Sequence, residues 1–136
     1  MGPSSDPIRV LHVDGDPGFG APTATPVEGA DERLVVETAT SAEEALDRLD
    51  GDVDCVVADY ELPGRTGIEF LEAVRETRPD LPFVLFTATG SEELVSEAIA
   101  AGATDYVRKE PGAAQFVILA NRAANAVEAA RARRTP

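Results

Sequence analysis

Four apolar runs in this 136-residue chain each lead to a side chain that phosphoryl chemistry can use. Ile8 to Val13 stops at Asp14, Val53 to Ala58 at Asp59, Phe83 to Phe86 at Thr87, and the short Tyr106-Val107 run leads to Lys109. A carboxylate can attack phosphorus or hold a hard cation, an ammonium can neutralise a phosphoryl oxygen, and a hydroxyl can donate a hydrogen bond to one. Lys109 is the only lysine, because the other eleven of the twelve basic residues are arginines. A compact ammonium kept where a guanidinium is the default points to a role that arginine fills less well.

Those side chains need elements that bring them together. Short continuous apolar runs bounded by turn residues read as strands buried on both faces, which belong to parallel sheets flanked by helices. Ligands of such sheets bind just beyond the carboxyl ends of the strands, so all four side chains are expected at one edge. Between the runs lie helical patterns. Ser41 with Glu44 reads as a capping box opening a helix through Leu49, and Thr66 with Glu69 as a second box ahead of the Ile68, Leu71, Val74 stripe. Ser91 caps a third helix that stops at Gly102, and an Ala-rich helix runs from about Ala113 to Ala130. With strands at Arg33 to Thr38 and Thr104 to Arg108 added, the pattern predicts a doubly wound α/β domain with five parallel strands over residues 8–130. Residues 1–7 are expected as a disordered tail and 131–136 as a short C-terminal tail.

The first crossover is the exception. Gly18, Gly20, Pro22, Pro26 and Gly29 all fall within it, and each interior proline costs a helix about 3 kcal/mol. A short, broken or poorly ordered helix is expected there, or one in which Pro22 or Pro26 takes a first-turn position and only part of the segment is helical.

The segment Asp59-Tyr60-Glu61-Leu62-Pro63-Gly64, with Gly67 opening the next helix, resembles the acceptor-aspartate loop of two-component response-regulator receiver domains. Thr87-Ala88 after the fourth strand and Tyr106 ahead of Lys109 are similar to that family's other signatures, and the likeness spans roughly Ile8 to Val127. It implies a flavodoxin-like sheet of strand order 2-1-3-4-5, which sets Asp14 beside Asp59. It also implies that Asp59 accepts a phosphoryl group from a histidine kinase, with Lys109 and Thr87 on the phosphoryl oxygens, Ala88 leaving access for the donor and Tyr106 turning inward with Thr87 as a switch. Two carboxylates a few ångströms apart repel unless a cation lies between them, and Mg²⁺, which prefers oxygen ligands, suits that place. Its ligands are expected to be Asp14 and Asp59, with Asp16 as a further candidate. The resemblance implies output through a downstream protein or a phosphotransfer partner, since no output segment is visible after the last helix.

This chain departs from the family pattern at two points. Adjacent acids usually follow the first strand, but here Asp14 is followed by Gly15 and then Asp16. Either Asp16 reaches in, or it merely opens the first crossover and Mg²⁺ affinity falls. The family follows its lysine with a proline in a cis bond, whereas this chain has Glu110 and then Pro111, and a cis bond before Glu110 costs about 2.5–4 kcal/mol. The loop is therefore expected either trans or shifted onto Pro111, and Glu110 competes for Lys109. These departures keep open a pseudo-receiver that binds protein without being phosphorylated. Asp14-Gly15-Asp16 also resembles the nucleophile loop of haloacid-dehalogenase-type phosphatases, but only Glu110 and Glu128 follow Lys109 as acids, and the Asp59 loop is then unexplained.

Composition excludes other classes. A net charge of -13 argues against a nucleic-acid surface. Such self-repulsion is tolerated when salt shortens the Debye length to about 3 Å at molar strength, so the acid-rich composition reads either as salt adaptation, as in halophilic proteins, or as an ordinary acidic protein. No apolar stretch approaches the roughly 20 residues that cross a bilayer and the start does not resemble a signal peptide, so a cytoplasmic protein without membrane partners is expected. Cys55 and His12 fall inside strands and read as core residues, and Arg131, Arg133 and Arg134 complement the end of the last helix.

Overall fold

The computed structural model describes residues 6–49, 51–88 and 90–134, and for residues 17–22 the backbone alone. Residues 1–5 and 135–136 of the two expected tails lie outside the described residues. Strand β1 (Ile8–Val13) leads to helix α1 (Pro17–Ala30), β2 (Leu34–Ala39), α2 (Ala42–Arg48) and β3 (Cys55–Ala58). A ribbon of β4 (Glu61–Leu62) and β5 (Arg65–Thr66) follows, then α3 (Gly67–Thr77), β6 (Phe83–Thr87), α4 (Glu92–Ala100), β7 (Asp105–Arg108) and α5 (Ala114–Arg134). No described helix is long and apolar enough to cross a membrane.

The main sheet is parallel throughout with order β2-β1-β3-β6-β7, which is the expected 2-1-3-4-5 once the two ribbon strands are set aside. Alternation along the strands divides the core in two. Leu11, Val13, Val56, Ala58, Phe83 and Leu85 pack towards α2, α3 and α4, while Ile8, Val10, Cys55, Val57, Val84 and Phe86 pack towards α1 and α5. Both faces are dry, which is why the strands read as unbroken apolar runs.

Helix α1 overturns the expectation of a short or broken crossover, since it runs unbroken over fourteen residues. Pro17 is its first residue, where a missing N–H costs nothing. Pro22 and Pro26 each withhold one helical hydrogen bond, but tertiary contacts offset that loss. Thr23 and Val27 are buried, Val27 within the α5-side core, and Glu28 accepts a hydrogen bond from the Val36 amide of edge strand β2 at 2.8 Å. At the other end, α5 continues through Arg134, beyond the expected Ala130, and Arg131 donates to the Pro7 carbonyl at 2.9 Å.

Local capping explains why α2, α3 and α4 begin where the sequence places them. Thr66 and Glu69 form a complete reciprocal box. Ser41 caps α2 by accepting from the Glu44 amide, but the return half differs: the Glu44 carboxylate meets the Thr40 hydroxyl and Arg48 instead. Gly102 adopts φ 104° just past α4, a conformation that favours glycine.

Candidate functional site

Register builds the site. Val13 pairs with Ala58, so the residues that follow, Asp14 and Asp59, leave adjacent strands side by side, tied by the Asp59 amide donating to the Val13 carbonyl at 3.0 Å. Thr87 ends the next strand, and its carbonyl accepts the Lys109 amide at 2.9 Å. The four expected side chains thus reach one edge of the sheet.

Lys109 sits between the two acids. Its Nζ donates to Asp14 Oδ2 and to Asp59 Oδ2, each at 2.6 Å, and lies 5.5 Å from the centre of the Phe86 ring. The other carboxylate oxygens are also engaged: Asp14 Oδ1 accepts from the Asp16 amide at 2.9 Å and Asp59 Oδ1 from the Glu61 amide at 3.3 Å. The side chain of Asp14 is only 2% exposed, while those of Lys109 and Asp59 are 10% and 14% exposed. Ion pairs this shielded from water interact far more strongly than surface pairs. Asp14, Asp59 and Lys109 together form the charged floor of an open cleft of about 490 Å³.

The cleft walls come from segments the sequence analysis had quoted. Glu61, Leu62 and Pro63 after Asp59 line it, as do Gly15, Asp16 and Ala88. Pro63 lies against Gly15 so closely that a Cβ on Gly15 would sit 2.7 Å from Pro63 Cδ. Gly67 carries a similar constraint. A Cβ there would collide with the Asp59 carbonyl oxygen and lie 2.9 Å from Tyr60 Cα, so α3 can start close to the loop after β3 only with glycine at that point. The Gly67 amide donates to the Tyr60 carbonyl at 2.6 Å. The only sequence signal for these contacts was the glycines themselves.

The remaining expected residues divide. Thr87 is buried at the end of β6, and Ala88 is exposed beside the cleft. Asp16 lines the cleft with an exposed side chain, and what it contributes to Asp14 is a backbone amide. Tyr106 is half-buried on edge strand β7 and packs against the α4-side core, its hydroxyl so near Gly90 that a Cβ there would lie 2.8 Å away. The backbone around Glu110 and Pro111 is trans, and Glu110 does not take Lys109 away from the acids; its amide donates to Gln115.

Buried polar groups near the floor report its environment. His12 is 1% exposed and its Nε2 lies 3.9 Å from Asp14 Oδ2. Burial nevertheless outweighs the attraction of Asp14, and Lys109 adds repulsion, so the imidazole pKa falls to about 4. Burial likewise pushes the Cys55 thiol up to about 12, so the lone cysteine is an inert core residue.

The response regulator receiver domain family matches residues 10–121. The chain is 39% identical over 101 residues to the bacterioopsin transcriptional activator of Halobacterium salinarum, a match covering 74% of this chain and 15% of that protein. It is 33% identical over 86 residues to the response regulator SaeR of Staphylococcus aureus, covering 63% of this chain and 38% of the relative. The chain thus spans well under half the length of these relatives. Among solved structures, a CheY-like response regulator receiver domain protein from Methanospirillum hungatei JF-1 superposes with a TM-score of 0.81 at 25% identity, covering 94% of this chain and 99% of that one.

Receiver domains are signalling domains, generally not enzymes, that interact with histidine kinases and downstream effectors and generally bind Mg²⁺ in an acidic pocket. The donors here suit a hard ion held by two carboxylates and retained water, but they fall short of a closed site. Gly15 supplies no oxygen from a side chain, and among the described residues no group of three or more histidine, cysteine or acidic side chains is placed to hold a metal. The family match over most of the chain, the superposition on a receiver domain structure and the sheet order agree: this chain belongs to the response regulator receiver domain family.

Proposed function

We propose that the domain accepts a phosphoryl group on Asp59 from a phosphohistidine of a histidine kinase and passes the signal to a downstream protein or phosphotransfer partner. The observation that carries this reading is the Lys109 ammonium, 2.6 Å from the Asp59 carboxylate at the floor of an open cleft. A carboxylate oxygen of Asp59 forms the new P–O bond as the P–N bond breaks, and the departing imidazole keeps the electron pair and takes up a proton. Lys109 then pairs with a phosphoryl oxygen and the Thr87 hydroxyl donates to another, while the small Ala88 side chain leaves room for the donor. Asp14 and Asp59 would hold Mg²⁺, with Asp16 on the same cleft wall as a further candidate, and the ion would supply positive charge to the phosphoryl oxygens. Both phosphate contacts exist only after transfer, so they favour a second conformation in which Thr87 shifts and Tyr106 turns inward. A net charge of -13 fits protein partners rather than nucleic acid, and a cytoplasmic setting follows from a histidine-kinase donor.

Incubation with MgCl₂ and a small phosphodonor, followed by intact mass, tests the reading. A phosphate-sized gain that vanishes in Asp59→Asn supports it. A second reading, a pseudo-receiver that binds partners without phosphorylation, draws on Gly15 and on the engagement of both carboxylates by Lys109. No gain in a protein that retains its fold supports that alternative.

A further inference from the structure

We propose that Glu28 and Arg48 guard an open edge of the sheet: they occupy backbone groups through which β2 would otherwise pair with the β2 of a second copy of this chain. β2 is an edge strand whose composition favours pairing, since Leu34-Val35-Val36 is apolar, contains two β-branched valines and leaves Val35 42% exposed. Its neighbour β1 uses one side of it. The Ile8 and Asp14 amides donate to the Arg33 and Ala39 carbonyls, so odd-numbered residues turn their peptide groups towards β1, while Leu34, Val36 and Thr38 turn theirs outward. An exposed row of such groups is a template for another strand.

Charged side chains already hold that row. The Val36 amide donates to Glu28 Oε2 at 2.8 Å, and Arg48 Nη1 donates to the Thr38 carbonyl at 2.5 Å. The Leu34 amide turns back to the Asp31 carbonyl at 3.1 Å. Glu28 comes from α1 and Arg48 from α2, which cover opposite faces of the sheet, so the rim is closed from both sides. Glu37 steadies Arg48 at 3.3 Å and is itself held by Arg9 at 2.6 Å. An incoming strand must displace a carboxylate and a guanidinium, and a two-fold pairing requires that displacement in both copies. The opposite edge is treated alike: the Tyr106 amide of β7 donates to Asp105 Oδ1 at 2.8 Å, and Arg122 holds that carboxylate at 3.0 Å. Blocking strand addition in this way does not depend on phosphate at Asp59.

Sedimentation velocity in about 1 M KCl, where a Debye length of about 3 Å screens the repulsion between two chains of charge -13, tests the guards apart from net charge. The Glu28→Ala/Arg48→Ala double variant is expected to self-associate about tenfold or more tightly than the unaltered protein, because two-fold pairing regains each bond in both copies. The Val36 and Thr38 amides should then gain protection from hydrogen exchange as protein concentration rises. Glu28→Gln/Arg48→Lys keeps an acceptor and a donor at the same places and is expected to sediment like the unaltered protein. A merely structural role lowers the stability of the alanine variant and leaves its mass unchanged. Should the alanine variant lose its fold by circular dichroism, Arg48→Ala alone leaves the α1 contact intact and is expected to show the same association more weakly. Three outcomes overturn the proposal: a folded alanine variant, double or single, that sediments like the unaltered protein; equal association in the conservative pair; or concentration-dependent protection that falls outside β2.

Discussion

The loops leaving β1 and β3 lie side by side and serve one cleft, yet they are built to different standards. The β3 loop is held at every step: Asp59 hangs from Val13, the β4–β5 ribbon closes the turn, Gly67 lets α3 start beneath it, and the Thr66–Glu69 box caps that helix from both sides. The β1 loop has Asp14 buried at its root but then only Gly15, an exposed Asp16 and a helix of unfavourable composition. The Asp59 side is held by contacts at each turn, while Asp14 meets its charge partner in a lysine that follows β7. One loop can thus stay fixed while its neighbour is less constrained, because each is anchored by its own contacts.

The largest expected effect lies on the Asp59 side. Gly67→Ala drives a methyl group into the Asp59 carbonyl and should destabilise the fold by about 3 kcal/mol in urea unfolding, with slower phosphorylation in whatever remains folded. An unchanged midpoint would mean that α3 can slide and the loop is less rigid than its contacts indicate. On the β1 side, His12 should dominate the acid limb. Its folded pKa of about 4 lies below the ordinary 6.5, so the unfolded chain binds more protons and stability drops as pH falls from 6.5 towards 4. Between pH 7 and 5 that loss is about 2 kcal/mol, and His12→Leu should remove it, read as a flatter unfolding free energy across the same interval.

Smaller changes sharpen the contrast. Gly15→Ala must push the Pro63 ring aside and should cost about 1–2 kcal/mol, less than Gly67→Ala because a ring edge yields more readily than backbone. Thr66→Ala removes half of a reciprocal box and should cost about 1 kcal/mol; Ser41→Ala, where the return bond is absent, should cost less. Thermal midpoints of the two variants side by side decide the order.

Much of this was legible in the chain. β1, β3 and β6 were readable as continuous apolar runs because both faces of the sheet are covered, and the caps at Ser41, Thr66 and Ser91 were readable because capping is a contact over three residues. The α1 helix was misread because proline and glycine propensities are local, whereas the packing of Thr23, Val27 and Glu28 that opposes them is not. Phe70 escaped the expected stripe of α3 because the buried face is centred on Gly67, Phe70, Leu71 and Val74 rather than on Ile68.

The sequence by itself determined which chemical groups end the strands, and in what order, because strand burial and helix capping are written in neighbouring residues. Only the tertiary structure decided that one ammonium is shared by two carboxylates, 95 and 50 residues away along the chain, and that Pro63 closes over Gly15. Those contacts depend on which strands pair and how loops settle after pairing, and no local periodicity encodes a meeting between segments so far apart.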